Sequence, residues 1–236
     1  MEGTIEMEKL FKQYKNISKR ILKPVNWHDL RTLEPISRVF GFDRGTPIDR
    51  VYIEDFLSKN SKYIQGVVCE IAENSYSKKY GQNIKSYEIL HYTNDNKNAT
   101  IIGDLMNIQT LPQNKIDCFI LTQTLNFIYD FKSAIQGLYY MLSTGGVGLV
   151  TVAGISQISR YDMDRWGDYW RFTDLSIKKA FEEVFGVGSV EVEVYGNVLT
   201  ATAFLQGISA EELTIDELFH RDNDYQMTIA IKAIKK

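Results

Sequence analysis

Residues 67–81 read VVCEIAENSYSKKYG. An apolar run, Val67-Val68-Cys69, closes on the acidic Glu70. In nucleotide-binding α/β domains a strand of this kind usually runs into a glycine-rich turn, because glycine lets the backbone approach a ligand closely. Here no glycine follows before Gly81. Two readings open: a ligand site built without glycine, or a buried strand followed by a helix.

The pattern around this stretch is strand, helix, strand. GVVCEI (66–71) is a strand and ENSYSKKYG turns into a helix ending at Gly81. IKSYEIL (84–90), ATIIGDL (99–105), IDCFILTQT (116–124) and VGLVTVA (147–153) read as further strands. The near-continuous apolar run of 116–124 suits a strand covered on both faces. FKSAIQGLYYML (131–142) and LSIKKAFEEVFG (175–186) have helical period, and STGG (143–146) reads as a turn. SVEVEVYG (189–196) and YQMTIAIKAIKK (225–236) alternate strictly, which predicts an antiparallel edge on an otherwise parallel sheet. The expected fold is α/β and Rossmann-like: seven strands, mostly parallel, an antiparallel C-terminal strand and helices on both faces. TIEMEKLFKQYKNISKRIL (4–22) predicts an amphipathic helix. Residues 1–60 are thus expected as a helical extension or lid, and residues 61–236 as the Rossmann-like domain.

Composition narrows the function. The chain has 236 residues, 44% of them apolar and 24% charged, as in ordinary globular proteins. A net charge of −3 supplies no global basic field for nucleic acid or an anionic membrane. No apolar run approaches the roughly 20 residues that span a bilayer. The charged opening MEGTIEMEKLFKQYK lacks the apolar stretch of a signal peptide, so a cytoplasmic location is expected. Cys69 and Cys118 sit inside apolar strands and read as reduced, buried thiols. His28, His91 and His220 show no metal-ligand spacing, and no metal is expected.

Open parallel sheets bind ligands beyond the carboxyl ends of their strands. Those ends are Glu70, Glu88, Asp104 and Thr122-Gln123. An acid at the end of a second strand accepts hydrogen bonds from ribose hydroxyls. The acidic set also suits a cationic ligand and repels a polyphosphate. Helix N-capping by the same acids is the plainer alternative.

The order of elements resembles the class I S-adenosylmethionine-dependent methyltransferases. More narrowly, it resembles bacterial methyltransferase-like proteins associated with surface glycans. The resembling segments are PISRVFGFDRGTPIDRVYIEDFL, VVCEIAENSYSKKYG, ATIIGDL, IDCFILTQTLNFIYD, LSTGGVGLVTVAGISQISRYD and GDYWRFT, spread over most of residues 35–210. The resemblance implies S-adenosyl-L-methionine as cofactor. It sets Glu70 and Ala72 beside the methionine part, Glu88 with Ile89 at the ribose, and Asp104 with Leu105 at the adenine. Thr122 and Gln123 fall near the methyl donor and the acceptor. Two positions depart from the pattern: Ala72 replaces the commonest glycine, and Thr144 stands where proline is frequent. Alanine penalises positive φ, so the loop cannot hug a ligand as closely.

A hydroxyl acceptor calls for a general base. ISQISRYDMDRWGDYWRFT (155–173) is a long polar and aromatic connection, and such connections are usually functional or disordered. Asp168, beside the aromatic cluster, ranks first as base, ahead of Asp162 and Asp164. Trp166, Trp170 and Phe172 offer faces for a sugar ring, with Arg160, Arg165 and Arg171 for an anionic group. FDRGTPIDRVY is expected as a lid, with Arg44 and Arg50 near a carboxylate and Tyr52 facing the sulfonium. His91 reads as a ring-edge contact or a cap. The leading function is therefore methyl transfer to a small-molecule or carbohydrate acceptor, at a hydroxyl oxygen. The alternative is a non-catalytic binding or scaffold module of the same fold. A nicotinamide enzyme is disfavoured by the absent glycine fingerprint.

Overall fold

The computed structural model describes residues 28–236, together with Met7 and Asn26. The amphipathic helix expected over 4–22 falls outside the described residues, Met7 apart. The chain divides into two compact units, residues 1–35 and 36–236. Of the first, the described part is a 3-10 turn, His28–Leu30, closed by Arg31 N–H donating to the His28 carbonyl at 3.3 Å.

The second unit is built on a seven-stranded sheet. In chain order its strands are β1 (Gly66–Ile71), β2 (Ile84–His91), β3 (Ile101–Ile102), β4 (Ile116–Thr122), β5 (Leu142–Ala153), β6 (Val190–Tyr195) and β7 (Thr228–Ile234). Across the sheet they run β3-β2-β1-β4-β5-β7-β6. The pairings among β1 to β5 are parallel; β7 is antiparallel to both of its neighbours. The two alternating C-terminal strands thus add the expected antiparallel edge to the parallel sheet. β7 enters between β5 and β6, and β6 forms the rim. The expected STGG turn lies within β5 as a bulge, where Ile116 and Cys118 face Leu142 and Val147.

Alternation along the strands divides the core in two. On one face Cys69, Phe119, Leu121, Val150, Val152 and Ile231 pack with helices Phe131–Met141 and Asp174–Phe185. On the other, Val68, Cys118, Ile120, Leu149 and Ala230 pack with helices Ile48–Lys59 and Val198–Gln206. Burial on both faces accounts for the near-continuous apolar run of β4. In chain order the helices of the unit are α1 (Ile48–Lys59), α2 (Ser75–Tyr80), α3 (Phe131–Met141), α4 (Arg160–Met163), α5 (Asp174–Phe185), α6 (Val198–Gln206) and α7 (Ile215–Phe219). The unit begins at Ile36, so α1 belongs to its core and buries Ile48, Tyr52, Ile53, Phe56 and Leu57. No helix among the described residues is long and apolar enough to cross a membrane.

Connections leave β1 in opposite senses, toward β2 and β3 on one side and β4 and β5 on the other. That reversal opens a crevice at the carboxyl ends of β1 and β4, where open α/β sheets bind ligands.

Candidate active site

At the end of β1, Glu70 is buried, 3% exposed. Its carboxylate accepts hydrogen bonds from the Ser77 N–H at 2.7 Å, the Ser77 hydroxyl, and the Tyr76 N–H at 3.2 Å. It holds the first turn of α2, so the capping alternative describes this side chain. Burial raises its pKa, and the Ser77 bonds oppose the rise. Ala72 follows at φ +63°, the left-handed conformation that costs an L-residue roughly 1–2 kcal/mol. The loop has therefore kept the backbone shape of a glycine turn while losing the glycine. Its carbonyl accepts from the Asn96 side-chain amide at 2.7 Å, so the loop after β2 closes on the loop after β1.

Glu88 is not at a strand end. β2 continues for three residues to His91, and Glu88 pairs in register with Cys69. Its carboxylate accepts from the Ser86 hydroxyl at 2.9 Å and the Thr100 hydroxyl at 2.6 Å, while Ile89 beside it is buried. Asp104 follows the two-residue β3 and accepts from the Met106 N–H at 2.9 Å in a tight turn, with Leu105 buried beneath.

The ends of β4 and β5 are organised differently. A cavity of about 250 Å³ opens there, lined from β4 by Thr122 and Gln123 and from α2 by Tyr76. Phe40, Phe42, Asp49, Arg50 and Ile53 form one wall; Gln157, Ser159, Asp162, Asp168 and Arg171 form another. The segment expected as a lid thus does border a cavity. Gln123 sits at φ +48°, its N–H donating to the Thr151 carbonyl at 2.8 Å. Strained backbone of this kind gathers at ligand sites. Asn126, 3% exposed, ties the region together. Its side chain reaches the Gln123 carbonyl at 3.3 Å and the Ala153 N–H at 3.4 Å, and its own carbonyl accepts from Tyr169 and Trp170.

Three carboxylates face this cavity, and their partners separate them. Asp168 takes Arg171 on both oxygens, at 2.6 and 2.8 Å, plus the Ser159 N–H at 2.9 Å. Its side chain is 1% exposed. Asp162 accepts from the Ser159 hydroxyl and from the Trp166 indole at 3.0 Å. Asp49, in the first turn of α1, meets the backbone N–H groups of its own turn and is pushed up to about 6, first by burial. A carboxyl that titrates near neutrality in a cleft is placed to exchange protons. Asp168, the expected base, has its oxygens committed to Arg171 and the Ser159 N–H, whereas Asp49 is hydrogen-bonded to no other side chain among the described residues.

Other expected contacts lie elsewhere. Tyr52 is fully buried, stacked on Tyr195 at 5.1 Å, and donates its hydroxyl to the Leu218 carbonyl at 2.8 Å. It belongs to the core and does not line the cavity. Arg44 forks onto Glu212 at 2.9 and 2.6 Å, and neighbouring Thr46 binds Glu211 through its N–H at 2.8 Å and its hydroxyl at 2.7 Å. Arg50, over the Phe42 ring at 5.3 Å, lines the cavity in place of Arg44. Arg160 pairs with Asp164 at 3.7 Å on the surface. Trp170 donates to the Tyr129 carbonyl at 3.1 Å and packs on Phe131, under the loop. Of the residues singled out from the sequence, Thr122, Gln123, Asp168 and Arg171 line one cavity. The sequence gives no sign of the role of Asn126 or of the raised pKa of Asp49, both of which depend on the folded arrangement. Among the described residues no group of three His, Cys, Asp or Glu side chains is arranged to hold a metal ion.

No protein-family model and no curated protein matches the chain. Solved structures do. A SAM-dependent methyltransferase from Archaeoglobus fulgidus superposes with a TM-score of 0.51 at 12% identity, over 79% of this chain and 94% of the other. The cyclase SpnF gives 0.52 at 13% identity, over 86% and 88%. The plantazolicin methyltransferase BamL, solved with a triazolic desmethylPZN analog and SAH, gives 0.50 at 15%, over 85% and 89%. At such identities the likeness is one of fold: the chain has the fold of the class I S-adenosylmethionine-dependent methyltransferases.

Proposed function

We propose that the protein is an S-adenosylmethionine-dependent methyltransferase acting on the hydroxyl oxygen of a small acceptor. The observation that carries this reading is the cavity at the ends of β4 and β5, lined by Asp49 together with Thr122 and Gln123. The first loop fits such a cofactor. Ala72 keeps the left-handed backbone that a close approach needs. Glu70 and Ala72 would shape the methionine end, Leu105 would pack beside the adenine, and Thr122 and Gln123 would border the donor. When bound, S-adenosylmethionine supplies a methyl group already activated on a sulfonium, so the protein's task is alignment and exclusion of water.

This chain's side chains account for the rest. The acceptor hydroxyl gives its proton to an oxygen of Asp49. Arg50 and the Asp168-held Arg171 orient an anionic or polar part of the acceptor, and Phe40, Phe42 and Phe127 exclude water. A cavity of this size suits one monosaccharide or a comparably small molecule. Calorimetric titration with S-adenosylhomocysteine tests the reading: saturable heat and a raised melting temperature are expected, and neither at millimolar ligand overturns it.

A second reading, a binding module of the same fold without turnover, draws support from the strained, glycine-free loop at Ala72. Saturable S-adenosylhomocysteine binding, with no methyl transfer to any of a panel of hydroxylated acceptors, would favour it.

A further inference from the structure

We propose that His91, rather than an acidic side chain, receives the ribose hydroxyls of the cofactor; the inference rests on the methyltransferase reading above. In sheets of this type the ribose meets the side chain at the carboxyl end of the second strand, level with the loop that follows the first. Register identifies that position. Glu70 pairs with Ile89 and Ile71 with Leu90, and the Ala72 N–H donates to the Leu90 carbonyl at 3.1 Å. The residue level with Ala72 is therefore His91, the last of β2. Its carbonyl accepts from the Gly103 N–H at 3.0 Å, which pins this corner to the turn after β3.

Glu88 fails the same test on three counts. It stands three residues back, roughly 10 Å along the strand at 3.3 Å per residue. An odd separation turns its side chain to the opposite face of the sheet. Both of its carboxylate oxygens already accept from the hydroxyls of Ser86 and Thr100.

The imidazole of His91 is prepared for the role. Its Nδ1 lies 2.9 Å from the Thr93 carbonyl, which can only accept, and 3.3 Å from the Thr93 N–H, which can only donate; the shorter contact favours the proton on Nδ1. Asp95 lies 3.5 Å from the same nitrogen and favours that tautomer. Nε2 is left as an acceptor, and among the described residues it has no hydrogen-bond partner. An oriented acceptor at this corner matches the O–H of a vicinal diol. The loop that follows clasps the first loop through Asn96 and the Ala72 carbonyl, so the histidine and the left-handed alanine form one rigid corner.

Calorimetry with S-adenosylhomocysteine, and with its 2′-deoxy and 3′-deoxy analogues, tests the assignment without requiring turnover. His91→Ala is expected to weaken S-adenosylhomocysteine binding about 10- to 100-fold. His91→Gln, which keeps an acceptor, should recover part of the loss, and Glu88→Gln should stay within about twofold. At least one deoxy analogue should bind the unaltered protein more weakly, and His91→Ala should erase that difference. Binding by His91→Ala at full strength, or a loss confined to Glu88→Gln, overturns the assignment while leaving the methyltransferase reading intact. An unaltered protein that binds no S-adenosylhomocysteine overturns both.

Discussion

The two halves of the sheet's carboxyl edge are built on different plans. At β1, β2 and β3 the carboxylates of Glu70, Glu88 and Asp104 are spent on neighbouring backbone and hydroxyl groups, and the shape is set by the main chain around Ala72. At β4 and β5 a cavity is walled by side chains from α1 and from residues 156–171, and one carboxylate, Asp49, is bonded to no other side chain among the described residues. Side chains of one chemical type thus serve opposite ends. On the proposed function, those that cap loops fix the corner that reads a ligand's outline, and the one left over takes the proton. On the same reading, a methyl donor that is the same molecule whatever the acceptor calls for the first plan, and an acceptor that must lose a proton calls for the second.

The sharpest way to break this contrast is Asp49→Asn. Loss of about 100- to 10,000-fold in methyl-transfer rate is expected, with S-adenosylhomocysteine affinity unchanged, checked by initial rates and calorimetry. The rate of the unaltered protein should rise with pH through about 6 as Asp49 ionises. Stability should run the other way. Between the ordinary 3.8 and about 6 the folded protein keeps a proton that the unfolded chain has released, so folding stability falls as pH rises through that window. Removal of this ionisation by Asp49→Asn should flatten the fall, by at most about 3 kcal/mol, in urea titrations at pH 4 and pH 7. A pH-stability curve shared by both proteins would remove Asp49 from the role.

Glu70→Ala should cost about 2–3 kcal/mol in urea unfolding, because the N–H groups of Tyr76 and Ser77 lose a charged partner. A cost well below that would return Glu70 to the ligand-facing set. Tyr52→Phe removes a buried hydrogen bond to the Leu218 carbonyl and should destabilise by about 1 kcal/mol, leaving S-adenosylhomocysteine binding untouched. Weakened binding would bring Tyr52 back to the cofactor. Ala72→Gly should stabilise by about 0.5–1 kcal/mol in the same urea assay, since relief of the left-handed strain slightly outweighs the added freedom of the unfolded chain. A destabilising outcome would mean that the alanine methyl packs usefully.

Much of the sheet could be read from the chain. The runs at 66–71 and 116–122 are apolar because both faces are covered, and that signal is local. The order of the last two strands was less legible: 189–196 and 225–236 alternate alike, and alternation does not say which one sits at the rim. Site residues divided on the same principle. Thr122 and Gln123 follow from being at a strand end. Asp49 acquires its raised pKa only in the fold, where desolvation outweighs the N–H groups of its own turn, and Glu88 loses its expected position to a register that depends on β1. Tyr52 and Trp170 misled because an aromatic beside arginines reads the same whether it lines a pocket or packs beneath it.

The insertion of β7 between β5 and β6 has a consequence for how the protein is made. β6 joins the sheet only through β7, pairing Val190 with Ala233 through to Tyr195 with Thr228. Until residues 228–234 have been synthesised, the segment carrying Val190–Tyr195 has no ladder to enter. Everything from β1 to β5 can assemble while the chain is still growing, because its strand partners come earlier in the sequence. The far side of the sheet must wait, its unpaired backbone exposed, so a ribosome stalled before residue 228 would display a five-stranded sheet with an open edge at β5.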